Sequence, residues 1–291
     1  MADVSVVVVT WNALPYVEQC LESVRGEDVV VVDNGSKDGT VALVRERFPE
    51  VRLIEQENKG MGGGNNAGMR AADGRYFLLL NSDAWVVDDG LAQLVAFADA
   101  HPEAAVVGPK LLNTDGTLQR SARGEPTLWS LATEYLAIRK LAPHSGRLNP
   151  LYRGDFDHDR VAEVDWLSGA ALLVRREAAD AVGLFDEDFF MFSEEVDWMT
   201  RFRRAGWKVL FYPDAEVVHV GGASHGGRMY VENLRGHLRF FAKHRSLKEA
   251  ERVRRMLLWS LRARALVLRR EHEREGVRFL SSGNARTLIE R

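Results

Sequence analysis

The sequence predicts an α/β protein: a doubly wound, mainly parallel sheet with a helical C-terminal extension. Three observations predict it. Short β-branched apolar runs alternate with helical stretches through the first third of the chain. Three of the first four runs stop at polar clusters, Thr10/Asn12, Asp33/Asn34 and Asn81/Asp83, as strands do when their carboxyl ends line one crevice. From about residue 229 the pattern turns helical, with few breakers and many arginines.

Residues 4–9 are apolar almost throughout, as expected of a strand buried on both faces. Pro15 opens a helix with Val17, Cys20, Leu21 and Val24 at helical spacing. Residues 29–32 form the second strand, and Ser36 or Asp38 caps a helix that runs through Arg47, with Pro49 just beyond. Residues 51–54 and 76–80 are the third and fourth strands. A helix over 91–100 stops before Pro102. Two short strands, 105–107 and 110–112, flank Gly108-Pro109. Residues 113–160 read as a loop-rich insertion with one helix over 128–141. Strand character resumes at 166–174, helices follow at 178–182 and 194–205, and strands at 208–212 and 217–220 close the α/β part.

Composition narrows the class. The chain has 291 residues, 46% hydrophobic and 28% charged, with one cysteine. A lone Cys20 forms no intrachain disulfide, so a reducing compartment is expected. The apolar content excludes a disordered chain, and no apolar run approaches the ~18–20 residues that span a bilayer. The N-terminus lacks the basic region and cleavage pattern of a signal peptide. The net charge of −3 is an average. Residues 1–234 carry 23 Lys+Arg against 36 Asp+Glu, a net −13, whereas residues 235–275 carry 13 against 5, a net +8.

One motif points elsewhere. Gly62-Gly63-Gly64-Asn65-Asn66-Ala67 matches the dinucleotide fingerprint G-x-G-x-x-A, with Asp83 downstream. That fingerprint belongs to the first strand–helix turn, which here is residues 10–15 and has no glycine. Residues 58–66 therefore read either as backbone that approaches a ligand closely and then starts a helix, or as a flexible surface loop.

Taken in order, VSVVVVTWN, VVVDNGSKDGT, NKGMGGGNNAG, LLLNSDAW, VDWLSGAALLVRR, FDEDFFMFSEEVDWMTRFRRAGW and HVGGAS resemble the family 2 glycosyltransferases of the GT-A fold. The resemblance covers about residues 3–225 and is greatest to the rhamnosyltransferase-like branch of surface-polysaccharide synthesis. It implies a catalytic domain over 1–228, with a nucleotide-sugar half (1–112) and an acceptor half (113–228), and a basic helical extension over 229–291. Thr10 and Asn12 would line the nucleotide pocket, and Asp33, beside Asn34, would accept the N3–H of a pyrimidine base. Lys59 and Gly60 would lie beside base or ribose, and Asn65 or Asn66 near the sugar.

Asn81-Ser82-Asp83 stands in the place of the family's DxD motif, with Asn81 removing one charge. Asp83 and His219 would hold a divalent cation, Mn²⁺ or Mg²⁺, bridging the donor's phosphates. Glu194-Glu195-Val196-Asp197 resembles the family's acidic motif. Glu195 would be the catalytic base of an inverting transfer and Glu194 its tuning neighbour; an acidic helix start favoured by the dipole alone is the other reading. Asp197 would belong to the acceptor side and pair with Arg201 at i, i+4. Trp166, Ser168 and Gly169 resemble the acceptor segment, with Trp166 stacking on a sugar or serving as a core aromatic. The glycine-dense residues 221–227 read as a lid.

The implied activity moves a sugar, rhamnose in this branch, from a UDP- or dTDP-sugar to a saccharide or lipid-diphosphate acceptor. A nucleotidyltransferase and a catalytically silent sugar-binding protein are the alternatives. The basic segment would be a solvated face, a homodimer contact or a surface for anionic lipid, which places the protein in the cytoplasm against the inner membrane face. The acidic body argues against nucleic acid.

Overall fold

The computed structural model describes residues 3–221, 227–268 and 270–290. Its strands are β1 (Val4–Thr10), β2 (Asp28–Asp33), β3 (Arg52–Glu55), β4 (Tyr76–Asn81), β5 (Ala84–Val86), β6 (Ala104–Leu112), β7 (Leu118–Gln119), β8 (Ala122–Arg123), β9 (Ala162–Glu163), β10 (Trp166–Leu167), β11 (Ala171–Arg175) and β12 (Lys208–His219). The main sheet runs β3-β2-β1-β4-β11-β6-β12-β5. Pairs β1–β2, β1–β4, β2–β3 and β6–β12 are parallel, and β11 lies antiparallel between β4 and β6. The expected mainly parallel sheet is therefore present, and β1 is buried along its whole length.

The helices are α1 (Val17–Glu22), α2 (Thr40–Arg47), α3 (Gly60–Ala71), α4 (Gly90–Ala100), α5 (Leu128–Tyr135), α6 (Arg176–Val182), α7 (Glu194–Arg204), α8 (Gly227–His244), α9 (Leu247–Leu268), α10 (Glu271–Ser281) and α11 (Gly283–Glu290).

Four local expectations change. The two strands expected around Gly108-Pro109 are the single strand β6, because Pro109 sits in register with Tyr212 of β12 and Gly108 leaves room for Leu167. Strands 208–212 and 217–220 are likewise one strand, β12, bulged between Tyr212 and Glu216. The helix expected over 128–141 stops at Tyr135, where Ala137 turns left-handed at φ 58° before one 3₁₀ turn at Ile138–Lys140. The strand expected over 166–174 splits into β10 and β11 around residues 168–170.

The glycine run of residues 60–64 belongs to helix α3 and is not a loop. Its glycines permit close approach. A Cβ at Gly64 would lie 2.7 Å from Val9 Cγ1, and one at Gly68 2.3 Å from Val7 Cγ1. Gly60, at φ +76°, would put a Cβ 1.9 Å from the Phe190 carbonyl oxygen, and only glycine tolerates that backbone and that contact together. So α3 lies almost bare on β1 on one side and seats residues 185–190 on another.

The C-terminal helices share a core with α5 and with residues at and just before α7. Leu234, Leu238, Phe241, Leu257 and Leu261 pack with Leu131, Tyr135, Phe189 and Val196. Leu266 is exposed. Several arginines of the basic segment act internally: Arg254 donates to Glu251 and the Leu280 carbonyl, and Arg264 to buried Glu273. Among the described residues no helix is long and apolar enough to cross a membrane.

One ion cluster ties these helices to α7. Asp197, fully buried, accepts from Arg201 Nε (2.9 Å), Lys243 Nζ (2.7 Å) and His244 Nε2 (2.6 Å). Burial raises the Asp197 carboxyl, but the hydrogen bonds from His244 and Lys243 outweigh it and hold it at about 2. Arg204 bonds His244 from the other side, through Nδ1 and the carbonyl. Removing one partner of a buried ion cluster strands the others without a counter-charge. Asp197→Ala is expected to lower unfolding stability by roughly 3–5 kcal/mol in urea. In the native protein this stabilisation is present above pH 3.8 and is lost as pH falls through about 2, so an acid titration by circular dichroism should show the variant losing less stability than the wild type over that interval.

Candidate active site

The parallel register brings the polar strand ends together: Thr10 pairs with Asp33 and Val9 with Asn81. Asn81 N donates to Ala170 O at 2.9 Å and Val220 N to Asp83 O at 3.0 Å. The ends of β4 and β12 and the start of β11 thus meet at one edge.

At that edge Asp83 Oδ1 lies 3.3 Å from His219 Nε2, and Asn81 Nδ2 lies 3.4 Å from the same nitrogen. His219 Nδ1 is 2.7 Å from Gln119 Oε1, while the Gln119 amide nitrogen donates to His219 O and Asn113 Oδ1. The amide can satisfy all three contacts only if Nδ1 carries a proton, and Nε2 is the nitrogen that faces Asp83. Burial raises the Asp83 carboxyl, yet its contact with His219 and the backbone N–H groups of Asp83 and Gly221 hold it below the usual range. A carboxylate oxygen and an oriented imidazole nitrogen this close fit a divalent cation. Gln119 is the outer partner that fixes the imidazole. It lay hidden in the segment read as loop-rich, because only pairing of β7 with β6 brings it to His219.

The acidic motif starts α7 beside this edge. Phe192 and Ser193 adopt left-handed φ of 68° and 69°, a costly backbone for side-chain-bearing residues, and redirect the chain into the helix. Glu194 is buried and Glu195 half-buried, and each has one enclosed carboxylate oxygen with no hydrogen-bond partner. Burial and the charge of Glu195 push Glu194 far above the usual carboxylate range. Burial likewise pushes Glu195 up to about 7, against the pull of its own and the Val196 backbone N–H and of Arg123. Gly169 faces Glu195: a Cβ there would touch its Cβ and Cγ at 4.0 Å. Trp166 stands across from Arg123 in the β8–β10 pair and donates its indole N–H to Gly124 O at 2.8 Å. The structure therefore gathers Glu195, Gly169, Trp166 and Arg123.

Other expected residues are held by the protein itself. Asp33 accepts from Thr10 Oγ1, Gly35 N, Ser36 N and Ser36 Oγ, so a base N–H would have to displace a hydroxyl. Asn12 joins this turn through Ser36 and Lys37, and Asn34 bonds Gly60 O and Gln56. Asn66 clamps Phe185 through both its N–H and carbonyl, and also reaches Glu187. Asn65 is buried within α3, Lys59 is exposed at its start, and Ser82 sits half-buried between Asn81 and Asp83. Asp197 serves the ion cluster. The lid expectation rests on residues 222–226, which lie outside the described residues. A separate cleft of about 490 Å³, lined by Glu125, Asp155, Asp165, Arg153 and Arg203 among others, contains none of these residues.

Sugar transfer from an activated donor needs charge stabilisation on the leaving diphosphate and a base at the acceptor. The sheet edge sets Asp83 beside His219, a raised carboxyl stands at the start of α7, and the surrounding fold is that of the GT-A glycosyltransferases. Residues 5–183 match glycosyl transferase family 2, and the chain belongs to that family. It is 35% identical over 240 residues to N-acetylglucosaminyl-diphospho-decaprenol L-rhamnosyltransferase of Mycobacterium tuberculosis, spanning 75% of this chain and 76% of the relative. A mannosyltransferase from Pyrobaculum calidifontis in complex with GDP-Man and Mn²⁺ aligns over 99% of this chain and 86% of its own, with a TM-score of 0.56 at 17% identity. GalNAc-T7 with UDP, GalNAc and Mn²⁺ aligns over 84% of this chain and 50% of its own, with a TM-score of 0.58 at 15% identity. At these identities the solved structures share the fold.

Were Glu195 the base of sugar transfer, its carboxyl near 7 would work only after losing its proton. The rate of sugar transfer is expected to climb as pH rises through about 7 and to level off above it. Glu195→Gln should cost roughly 10²–10⁴ in kcat and abolish the rise. Because the raised carboxyl favours the folded state below pH 4.5 and that advantage fades as pH passes 7, the same variant should melt higher than the wild type at pH 8 but not at pH 4.

Proposed function

We propose that this protein is an inverting, metal-dependent glycosyltransferase that moves a deoxyhexose of the rhamnose type. The donor is a UDP- or dTDP-sugar, and the acceptor hydroxyl belongs to a saccharide carried on a lipid diphosphate. The observation that carries the reaction type is the half-buried Glu195, with its raised carboxyl, facing Gly169 beside the Asp83–His219 pair. The acceptor and sugar rest on likeness to the mycobacterial rhamnosyltransferase.

Glu195 takes the proton of the attacking hydroxyl as the hydroxyl oxygen bonds to the anomeric carbon and the bond to the nucleoside diphosphate breaks. Glu194, kept protonated by burial, spares Glu195 a second negative neighbour in the working state. Trp166 offers a face for the acceptor ring. Asp83 and His219 would hold Mn²⁺ or Mg²⁺, which supplies Lewis-acid stabilisation of the leaving diphosphate. Purified protein with Mn²⁺, an N-acetylglucosaminyl diphospholipid and a panel of nucleotide-sugars is expected to transfer from dTDP- or UDP-deoxyhexose. Asp83→Ala and His219→Ala should each lower the rate roughly 10–100-fold or more. Equal transfer from GDP- and ADP-sugars would refute the pyrimidine assignment.

A lipid-borne acceptor places the protein against a membrane surface. On α9, Arg255, Trp259, Arg262 and Leu266 fall at helical spacing along one exposed stripe, and Arg262 lies over the Trp259 ring at 5.8 Å. Ser260 Oγ, on the buried side of α9, donates to Tyr135 O, and the next residue, Leu136, is exposed. Guanidinium and apolar groups so interleaved suit an anionic lipid interface. Vesicles of anionic lipid should sediment the wild type at low salt. Trp259→Ala combined with Leu266→Ala should weaken this severalfold with an unchanged far-UV spectrum. Equal binding to uncharged vesicles would count against the arginines' part.

A further inference from the structure

Among the described residues Arg123 is a cation with no carboxylate partner, close to the candidate base. It ends β8, a two-residue strand held to β10 by the Trp166 and Leu167 register. Its guanidinium lies over the Tyr152 ring at 4.1 Å and over Trp166 at 5.9 Å. Its Nε is enclosed with no hydrogen-bond acceptor. The neighbouring carboxylate Glu134 is committed to Arg139, whose guanidinium also lies over Tyr152, at 4.6 Å. Among the described residues no carboxylate stands within ion-pair distance of Arg123. Burial works against its charge, so the position is unfavourable in the free protein and becomes favourable once an anion arrives.

We propose that Arg123 binds a phosphate of a diphosphate-bearing acceptor, positioning the acceptor's sugar over Trp166 with its hydroxyl at Glu195. The inference rests on the acceptor class proposed above and adds the residue that reads it. Geometry supports the assignment. Glu195 must touch the acceptor hydroxyl; it faces Gly169, three residues beyond the Trp166 ring that Arg123 overlies. A phosphate at the far side of the same sugar ring would sit one ring away from the base. An arginine held by two aromatic rings keeps its hydrogen-bonding edge pre-aimed, and its fork suits phosphate oxygens better than an ammonium does.

Two sources of diphosphate compete for Arg123: the acceptor and the nucleotide donor. The test compares wild type, Arg123→Met and Arg123→Lys on two acceptors, an N-acetylglucosaminyl diphosphate with a short alkyl chain and the uncharged alkyl glycoside of the same sugar. Arg123→Met is expected to raise acceptor KM roughly ten- to a hundredfold more for the diphosphate than for the uncharged glycoside, with donor KM far less affected and Lys intermediate. An equal penalty on both acceptors, or a loss confined to kcat with the pH profile moved to higher pH, would mean that Arg123 serves only Glu195 and would overturn the proposal. A rise in donor KM would assign it to the nucleotide and also overturn it. Calorimetric titration with an alkyl diphosphate lacking sugar separates the site from the reaction. Arg123-dependent binding in a wild type that glycosylates neither acceptor would uphold the anion site and refute the proposed acceptor. Equal binding by wild type and Arg123→Met would refute the site itself.

Discussion

The architecture depends on one close contact, that of helix α3 with its two neighbours. Glycines at 64 and 68 bring the helix onto Val9 and Val7 of β1, and Gly60 lets the chain meet the carbonyl of Phe190. Met61 N then donates to that same carbonyl at 2.9 Å, and Asn66 grips Phe185. The segment so seated runs straight into Phe192 and Ser193, where the left-handed turn aims α7 at the sheet edge. A bulkier α3 would lift this segment, and with it the acidic motif, away from Asp83 and His219.

This chain of contacts explains what was legible in the sequence. The strands were readable because each is a short β-branched run, and their polar ends were readable because a parallel sheet aligns carboxyl ends. Asp83, His219, Glu194 and Glu195 could be singled out only through the ordered motifs that resemble the family, since a lone strand-end histidine or an acidic helix start is ordinarily structural. The meaning of the glycine run was not legible, since close packing on β1 and ligand approach demand the same residue. Gln119 and Arg123 were equally silent. Their significance comes from pairing with residues about a hundred and about forty positions away, and nothing local marks a glutamine or an arginine as facing a site. Residues at 109 and 213–215 look like strand ends in one dimension, but neighbouring strands carry β6 and β12 through them.

Electrostatically, the site holds opposites within a small volume. Two carboxyls at the start of α7 are pushed toward their neutral forms by burial, whereas Asp197, two residues on, is held fully ionised by three cationic or hydrogen-bonding partners. The difference lies in what faces each group, because all three share a helix end. The helix dipole favours negative charge there, so the raised carboxyls are a measure of how dry their surroundings are. Dryness of this kind costs stability and sharpens a proton acceptor, a trade that active sites make routinely.

The Asp197 cluster has a further consequence for modularity. Lys243 and His244 close the end of α8, yet they clamp the helix that carries Glu195, and Phe189 and Val196 share a core with α8–α11. The C-terminal helices are therefore part of the catalytic scaffold and not a detachable address label. Their outer, solvent-facing residues are free to vary without disturbing this clamp, but a graft of foreign helices would have to bring its own lysine and histidine to the same two places.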